Sequence, residues 1–330
     1  MKVVMFFRLK EIRWSVSDTD LAAMRAEFPT LEFVAVEEEA DLAAALPDAE
    51  VFFGWTLPRE HFGAMKKLRW MHTPNAGVEA NLFPEFVASD VVLTNGTGLH
   101  SVSIPEHVLA LMLALGRNLH LAARLQARRE WNRFGAIAFG SGIRELHGSN
   151  LAILGAGAIG ASLAERASAL GMRVRVLRRR ADRPVAGAEA VVGPESMHEL
   201  LAWADFVVLA TPLTAETRNL IDARALDAMK SSAFLINIAR GEVVDDDALV
   251  DALRRGRIAG AGLDVFRTEP LPPESPYWEL ENAIVTPHVS GYTPGYFEKT
   301  LALFRDNLRR YLGGETMRNR VDKRLGYADA

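Results

Sequence analysis

The chain is 330 residues long and contains no cysteine, which excludes disulfide bonds and thiolate chemistry. It also lacks any apolar run near the ~20 residues that a membrane-spanning helix needs. The apolar run at residues 3–7 is too short for a secretory signal peptide. The net charge is only −4, and no basic stripe of the kind that binds nucleic acid is present. We therefore expect a soluble cytoplasmic protein that binds neither nucleic acid nor membranes, and we predict no metal site.

Hydrophobic residues make up 49% of the chain, and this length is enough for two domains. Short β-branched runs alternate with longer Ala- and Leu-rich stretches, the pattern of strands and crossover helices in a parallel sheet. The strand candidates near the start are KVVMFF, LEFVAV, AEVFFGW, LRWMHT and DVVLTN. A second series contains NLAILGAG, MRVRVL, ADFVVLAT, SAFLINIA, IAGAGLDVF and AIVTPHVSGYT. The sequence therefore predicts an α/β protein with two parallel-sheet domains.

Three longer segments connect or follow these two series. Residues 103–131 predict one long, largely buried helix, with Pro105 in its first turn, and such a helix is a common bridge between domains. The next stretch, to about residue 149, loses periodicity and gains glycine, which is typical of irregular structure. Residues 295–314 predict an amphipathic helix that ends at a glycine pair.

A glycine-rich loop follows the strand candidate LAIL and precedes an Ala-rich helix. It carries Gly155, Gly157 and Gly160 in the spacing GxGxxG, with Ala158 and Ile159 inside it. The first glycine permits a tight turn, the second lets the main chain approach a pyrophosphate, and the third allows close packing of helix on strand. Because N–H groups at the helix start can hold phosphates, we predict a dinucleotide site.

An arginine run stands where the second strand of this unit ends. The position that usually carries an acid for the adenosine ribose, roughly 20 residues into the motif, falls at Arg178, and Arg179 and Arg180 follow. A guanidinium cannot accept hydrogen bonds from ribose hydroxyls, but it can hold a 2′-phosphate. The run therefore favours NADP(H), with NAD(H) still possible. A solvated basic patch unrelated to any ligand is the alternative.

Further motifs resemble those of the D-isomer-specific 2-hydroxyacid dehydrogenases, most closely the glyoxylate/hydroxypyruvate reductase branch. The resemblance covers nearly the whole chain in the family's order. It rests on NAGVE (75–79), SIPEHVLALMLAL (103–115), GAGAIG (155–160), ATPLTAETRNLI (210–221), LINIARGEVVDDDAL (235–249), GAGLDVFRTEPLP (260–272) and VTPHVSG (285–291). It implies hydride transfer between a nicotinamide cofactor and a small 2-oxo or 2-hydroxy acid.

The resemblance implies a catalytic triad of Arg240, Glu269 and His288. The guanidinium of Arg240 can clamp the substrate at two points. Because reduction builds negative charge on the ketone oxygen, protonated His288 can donate a proton while Arg240 stabilises that charge. Glu269 would hold the other imidazole nitrogen and raise the pKa of His288. The other seven of the eight histidines have no such support, and for His72 and His107 a satisfied structural role is favoured.

The same resemblance assigns further residues to the cofactor and the substrate. On the cofactor side they are Thr211, Pro212 and Thr217 in the adenosine loop, Ile238 at the cofactor wall, Asp264 as acceptor for the nicotinamide amide, and Gly291 beside the ring. The N–H groups of Ala76 and Gly77 would receive the substrate carboxylate, since glycine lets the main chain come close. Trp55 lies where the family varies its substrate loop and is a candidate for specificity, with a partly buried aromatic as the alternative.

The family fold implies that both ends of the chain join one domain. Residues 1–100 and 288–330 would form the substrate-binding domain and residues 101–287 the dinucleotide-binding Rossmann domain. A cleft would lie between these two Rossmann-like or flavodoxin-like domains. Since Arg240 and Gly77 come from different domains, catalysis would require closure of the cleft. Residues 120–147 resemble the family's dimerisation arm, which favours a homodimer.

We therefore expect an NADPH-preferring reductase of small 2-oxo acids such as glyoxylate or hydroxypyruvate. An NAD-dependent D-2-hydroxyacid dehydrogenase with another substrate range is the first alternative. The second is a non-catalytic NAD(H)-sensing binding protein similar to the corepressors of this fold, which are expected to carry a long disordered tail. Formate dehydrogenase relatives fit poorly, because they are expected to carry glutamine at the position of Glu269.

Overall fold

The structure is a computed structural model that describes residues 1–7, 16–132 and 143–328. The chain divides into two compact units. Unit 1 comprises Met1–Leu99 and Pro294–Ala330, and unit 2 comprises His100–Thr293. Both ends of the chain therefore contribute to unit 1, whereas unit 2 is one continuous segment.

The first part of unit 1 builds a parallel sheet. Its strands are β1 (Lys2–Phe6), β2 (Glu32–Val36), β3 (Ala49–Gly54), β4 (Trp70–His72) and β5 (Val92–Thr94), paired in the order β2-β1-β3-β4-β5. The helices along it are α1 (Asp18–Glu27), α2 (Glu39–Ala45), α3 (Arg59–Phe62) and α4 (Pro84–Val87). Each strand predicted near the start of the chain is confirmed, and the strand order is the flavodoxin-like one.

Unit 2 contains a second parallel sheet. Its helices are α5 (Ser103–Gly116), α6 (Leu119–Arg128), α7 (Ala158–Ala169), α8 (Met197–Trp203), α9 (Ala223–Ala228) and α10 (Asp246–Arg254). Its strands are β6 (Asn150–Leu154), β7 (Arg173–Leu177), β8 (Ala190–Val192), β9 (Phe206–Leu209), β10 (Phe234–Asn237), β11 (Gly260–Leu263) and β12 (Ala283–Val285). The order is β12-β11-β10-β9-β6-β7-β8, so the direction in which the sheet grows reverses at β6. In open α/β sheets ligands bind at the carboxyl ends of strands beside such a reversal. The α/β prediction is confirmed.

The core of unit 2 covers both faces of this sheet. Leu151 and Ile153 of β6 point to the face on which α5 and α7 pack, while Ala152 and Leu154 point to the face covered by α8, α9 and α10. All four side chains are fully buried. A parallel sheet buried on both faces reads as a continuous apolar run, which is why the sequence predicted its central strands.

The prediction of one long helix over residues 103–131 is wrong. The chain forms α5 and α6, and the two helices meet at a bend of 67°. Asn118 lies at this bend with a left-handed φ of +55°, a conformation that interrupts a helix and that asparagine tolerates better than most residues. Among the described residues, no single helix is long and apolar enough to span a bilayer, and α5 with α6 meets that test only as a bent pair. The expected dimerisation arm includes residues 133–142, which lie outside the described residues.

The chain returns to unit 1 through α11 (Tyr296–Leu312) and ends in a hairpin of β13 (Val321–Asp322) and β14 (Tyr327–Ala328). The predicted amphipathic helix over residues 295–314 is confirmed. Phe304 of α11 is fully buried, and its ring centroid lies 4.1 Å from that of Phe53 and 5.2 Å from that of Trp70. These stacked rings dock α11 on the sheet of unit 1. Short 3-10 helices cover Glu79–Asn81, Pro194–Ser196, Gly241–Val243 and Pro276–Trp278.

Candidate active site

The glycine loop lies at the carboxyl end of β6, between that strand and α7. Gly155 has a φ of +109°, and a Cβ there would lie 2.5 Å from the carbonyl oxygen of Ala210. A Cβ at Gly160 would lie 2.0 Å from the carbonyl oxygen of Gly155. Glycine is therefore required at Gly155 by its left-handed main chain, and at both positions by close packing.

Gly157 is a glycine for a different reason. Its φ of −73° is open to any residue, and a Cβ at this position would meet nothing within 4 Å. Neither conformation nor packing against the described residues requires glycine here. The open space suits a group that comes into contact with the main chain, as the pyrophosphate of a dinucleotide does. The first-turn N–H groups of Ala158 and Ile159 have no intrahelical acceptor and are placed to hold it.

The arginine run begins directly after β7, at the same edge of the sheet as the glycine loop. β6 and β7 pair in parallel up to their last residues, and the N–H of Gly155 donates to the carbonyl of Leu177 at 2.9 Å. Arg178 follows in the chain and is half-buried, whereas Arg179 and Arg180 are exposed. Arg178 therefore stands beside the glycine loop, at the strand end where this fold holds the adenosine ribose.

The loop after β9 lies at the same edge, because β9 is the other neighbour of β6. The hydroxyl of Thr217 donates to the carbonyl of Pro212 at 2.6 Å and accepts from the N–H of Thr214 at 2.8 Å. Thr217 therefore holds the shape of this loop. The buried hydroxyl of Thr211 has no hydrogen-bond partner among the described residues, so this hydroxyl is available to a ligand.

Arg179 reaches the same loop. Its Nη2 lies 2.7 Å from Oε2 of Glu216, and both side chains are exposed to solvent. Because an exposed ion pair contributes only about 0–1 kcal/mol, a phosphate group that displaced Glu216 from Arg179 would sacrifice little stability in that pair.

Arg240 follows β10 and is held by the residue that ends this strand. The side-chain Nδ2 of Asn237 donates to the carbonyl of Arg240 at 3.0 Å, and its Oδ1 accepts from the N–H of Ala239 at 3.0 Å. The guanidinium Nη1 of Arg240 donates to the carbonyl of Ala239 at 2.7 Å. Ile238 is buried in this turn. The Asn237 side chain thus fixes the turn from which Arg240 projects.

His288 and Glu269 form a hydrogen-bonded pair beyond β12 and β11. The Nδ1 of His288 lies 2.7 Å from Oε2 of Glu269, and Oε1 of Glu269 accepts from the N–H of Phe266 at 2.8 Å. Because the carboxylate holds Nδ1, the other ring nitrogen, Nε2, is the one that can face a substrate. The side chains are 48% and 35% exposed, so the pair is open to a small molecule.

The electrostatics of this pair favour a protonated imidazole. The hydrogen bond to Glu269 holds the pKa of His288 above its usual value, although burial and the positive charge of Arg240 act in the opposite direction. Burial raises the pKa of the Glu269 carboxyl, but hydrogen bonds from His288 and from the N–H of Phe266 leave that pKa below its usual value. Both shifts favour the ionised form of the pair, in which His288 carries the proton.

Asp264 follows β11, and its side chain is 0% exposed. Its carboxylate accepts from the hydroxyl of Thr286 at 2.6 Å and from the N–H groups of Val289 and Ser290, each at 3.0 Å. The contacts that the described residues make with this carboxylate are internal to unit 2. Its role as acceptor for a nicotinamide amide stays a prediction, and it would require this enclosed site to open.

Gly291 packs against the start of α5. Its carbonyl lies 3.1 Å from Nδ1 of His100 and accepts from the hydroxyl of Ser103 at 3.4 Å. A Cβ at Gly291 would lie 3.1 Å from the same nitrogen of His100. A larger residue here would require the His100 side chain to shift. The position of Gly291 beside a nicotinamide ring stays a prediction.

Ala76 and Gly77 lie in unit 1, in the loop after β4. The Nδ2 of Asn95 donates to the carbonyl of Ala76 at 2.6 Å and fixes this loop. Within the part of the chain that the structure describes, the N–H groups of Ala76 and Gly77 donate to no other residue. Both amides therefore have the hydrogen-bonding capacity that a carboxylate ligand needs.

Trp55 is a core residue of unit 1. It is 6% exposed, and its ring stacks on that of Tyr296 with centroids 6.0 Å apart and an interplanar angle of 8°. Its indole N–H has no acceptor among the described residues. The contribution of Trp55 to substrate specificity stays a prediction.

Sequence reasoning missed three polar residues whose side chains hydrogen-bond to residues of the candidate site. They are Asn95, Asn237 and Thr286, and each stands at or directly after the end of a strand, β5, β10 and β12 respectively. The signal that could have found them is a lone polar residue that closes an apolar strand just before a candidate site residue. For metals, the described ranges 1–7, 16–132 and 143–328 contain no group of three or more His, Asp or Glu residues that could hold an ion.

A parallel sheet that carries the glycine loop, the half-buried arginine and the His–Glu pair on one unit is the arrangement of a dinucleotide-dependent oxidoreductase. Residues 109–290 match the family model described as "D-isomer specific 2-hydroxyacid dehydrogenase, NAD binding domain". The chain belongs to the D-isomer-specific 2-hydroxyacid dehydrogenase family, and it is an NAD(P)-dependent oxidoreductase. The resemblance noted from the motifs is confirmed.

Individual relatives agree with this assignment. The chain is 34% identical over 315 residues to a glyoxylate/hydroxypyruvate reductase B of Pectobacterium carotovorum subsp. carotovorum, which covers 94% of this chain and 96% of that protein. It is 40% identical over 237 residues to a glyoxylate reductase of Thermococcus gammatolerans. That match covers 71% of this chain and 68% of the Thermococcus protein. The fold also superposes on a solved structure with a TM-score of 0.80 at 28% identity, covering 98% of this chain and 99% of the other. That structure is a D-isomer specific 2-hydroxyacid dehydrogenase from Xanthobacter autotrophicus Py2 in complex with NADPH and MES.

Proposed function

We propose that the protein is an NADPH-preferring reductase that converts small 2-oxo acids, such as glyoxylate and hydroxypyruvate, to D-2-hydroxy acids. The observation that carries this proposal is the 2.7 Å contact between Nδ1 of His288 and Oε2 of Glu269. Such a pair keeps a proton on the imidazole for donation to a ketone oxygen. The named activities of the Pectobacterium and Thermococcus relatives support this choice of substrates.

The roles of the triad follow from the charges that the reaction creates. NADPH, when bound, supplies the hydride that the ketone carbon receives. Arg240 binds the substrate and stabilises the negative charge that grows on the ketone oxygen. His288 then gives that oxygen a proton from Nε2, which completes the alcohol, while Glu269 holds the ring through Nδ1. In the oxidation direction neutral His288 accepts the same proton.

The cofactor assignment rests on the open space at Gly157 and on the position of Arg178. We assign the pyrophosphate to the glycine loop and the 2′-phosphate to Arg178 with Arg179, because a planar guanidinium matches a phosphate at two points. We assign the remaining cofactor contacts to Thr211, Pro212, Thr217, Ile238 and Gly291. The NADPH complex of the Xanthobacter relative supports this preference.

The substrate assignment places a further role on unit 1. We propose that the N–H groups of Ala76 and Gly77 receive the substrate carboxylate and that Trp55 limits the size of the substrate. Residues 1–100 and 288–330 would then be the substrate-binding domain, and residues 101–287 the dinucleotide-binding domain. A homodimer and a cytoplasmic location stay predictions.

A panel of 2-oxo acids, assayed with NADPH and NADH at equal concentrations, tests the proposal. We expect oxidation of NADPH with glyoxylate or hydroxypyruvate and a higher kcat/KM for NADPH than for NADH. Preference for NADH with a larger 2-oxo acid would favour the NAD-dependent dehydrogenase alternative. If neither cofactor were oxidised with any acid while both bound, the corepressor-like alternative would be favoured.

Replacing Glu269 by glutamine is expected to move the alkaline limb of the pH profile for reduction to lower pH. The amide removes the negative charge and the strong acceptor that raise the pKa of His288. Reduction uses protonated His288, so its rate is full below that pKa and falls as the pH rises through it. In Glu269→Gln the rate begins to fall at a lower pH, so kcat measured at alkaline pH should drop by about tenfold or more. Steady-state kcat and kcat/KM against pH measure this shift.

Glu279→Gln is the matched control, because it removes the same charge from an exposed glutamate of the same unit. Its pH profile should overlay that of the unaltered protein. An alkaline limb that stayed in place in Glu269→Gln would mean that Glu269 does not control the proton on His288.

A further inference from the structure

The buried carboxylate of Asp264 holds the chain segment that presents His288. Its oxygens accept from the N–H groups of Val289 and Ser290. Its own main-chain carbonyl accepts from the N–H of His288 at 2.9 Å. One aspartate therefore fixes three consecutive amides, beginning at the histidine of the proposed site.

His288 needs such support because its main chain is strained. Its φ is +51°, in the left-handed region that few residues other than glycine adopt. Conformations of this kind persist only where the surrounding contacts impose them. Since a misplacement of about 1 Å can cost roughly 10²-fold in rate, the groups that hold this turn bear directly on proton transfer.

The donor and the acceptor can be assigned in two hydrogen bonds, the one between Thr286 and Asp264 and the one between His107 and Thr286. The hydroxyl of Thr286 lies 2.6 Å from Oδ1 of Asp264, the length of a hydroxyl that donates to a carboxylate. A hydroxyl has one hydrogen, so Thr286 must accept from Nε2 of His107, which lies 3.1 Å away. His107 therefore carries a hydrogen on Nε2, and the order of donation is His107 to Thr286 to Asp264.

His107 connects these hydrogen bonds to a helix. It lies on α5, which packs on the sheet of unit 2, and its side chain is 21% exposed. Its Nε2 is also 3.7 Å from Oδ1 of Asp264. Helix α5 is thereby connected to a turn that is 179 residues further along the sequence.

We propose that Thr286 and His107 are positioning residues for His288: they hold the Asp264 carboxylate, which in turn holds the main chain of residues 288–290. The proposal rests on the proposed function in that His288 is taken as the proton donor. It extends that function to two residues that touch neither substrate nor cofactor.

Thr286→Val tests the hydroxyl with little change of shape, and Thr286→Ser keeps the hydroxyl. We expect kcat for reduction to fall by about tenfold in Thr286→Val, because a hydrogen bond to a charged group is lost. KM for NADPH and for the 2-oxo acid should stay within about twofold, since the cofactor contacts are intact. Thr286→Ser should restore kcat. His107→Ala should lower kcat by a few-fold, about the effect of a neutral hydrogen bond, and His107→Gln should recover part of that loss.

Two results would overturn the proposal. One is an unchanged kcat in Thr286→Val when thermal melting shows that the variant is folded. The other is an unchanged kcat with a raised KM for NADPH, which would mean that the Asp264 site serves the nicotinamide amide instead.

Amide hydrogen exchange separates this proposal from the proposed function, because it needs no turnover. In the protein without substrate, the amides of Val289 and Ser290 should exchange about tenfold faster in Thr286→Val and at the unaltered rate in Thr286→Ser. If the protein reduced no 2-oxo acid at all, the function would fail while this exchange result still decided whether Thr286 holds the turn. Equal exchange in all three proteins would refute the positioning role.

Discussion

Replacing His288 by glutamine should lower kcat for reduction of a 2-oxo acid by about 10³-fold, the scale of a lost general acid. Glutamine still forms hydrogen bonds, but it cannot deliver the proton that the ketone oxygen needs. The imidazole of His288 is half-exposed and is held through Nδ1 by Glu269, so its loss leaves the glycine loop untouched. The Kd of NADPH, measured by fluorescence titration, should therefore stay within about twofold, and kcat and kcat/KM should fall together.

His61→Gln makes the same substitution on α3 in unit 1 and should leave kcat unchanged. A kcat for His288→Gln close to that of the unaltered protein would show that another group donates the proton. A large rise in the Kd of NADPH would show instead that His288 acts mainly in binding the cofactor.

The features predicted correctly from sequence are those with a local cause. The glycine loop could be predicted because the left-handed turn at Gly155 and the close approach of Gly160 to the carbonyl of Gly155 both lie within one strand–turn–helix unit. The strands of both sheets could be predicted because a sheet buried on both faces leaves continuous apolar runs. The exception is β8. It has only three residues, all partly buried, and an apolar run of that length does not stand out in the sequence.

The features that sequence reasoning missed depend on contacts between distant parts of the chain, or on local conformations and hydrogen bonds that a motif does not specify. The hydrogen bond from His107 to Thr286 joins residues 179 apart, and no periodicity in either segment indicates it. The break between α5 and α6 occurs at Asn118, whose left-handed φ of +55° interrupts the helix although the apolar pattern continues through it. Thr217 is similar, since its hydroxyl is used inside its own loop, a detail that the motif alone does not contain.

Replacing Arg178 by aspartate should reverse the preference between the two cofactors. Arg178 directly follows β7, at the same edge of the sheet as the glycine loop. Its removal loses charge-assisted hydrogen bonds to the 2′-phosphate, and the new carboxylate repels that phosphate. We expect kcat/KM for NADPH to fall by about 10²-fold or more. The carboxylate also supplies the acceptor that ribose hydroxyls use, so kcat/KM for NADH should hold or rise. The ratio of the two values, measured with one 2-oxo acid, reports the change.

Arg180→Asp is the control, because it makes the same change of charge at an exposed position two residues further along the chain. The 2′-phosphate contact that we assign is local to Arg178 and Arg179, so the ratio for Arg180→Asp should move by only a few-fold, the size of a screened charge effect. Equal shifts in both variants would mean that the run acts through its overall positive charge. A ratio that moved in neither variant would make the arginines a solvated patch, and the preference for NADPH would then have to come from another part of unit 2.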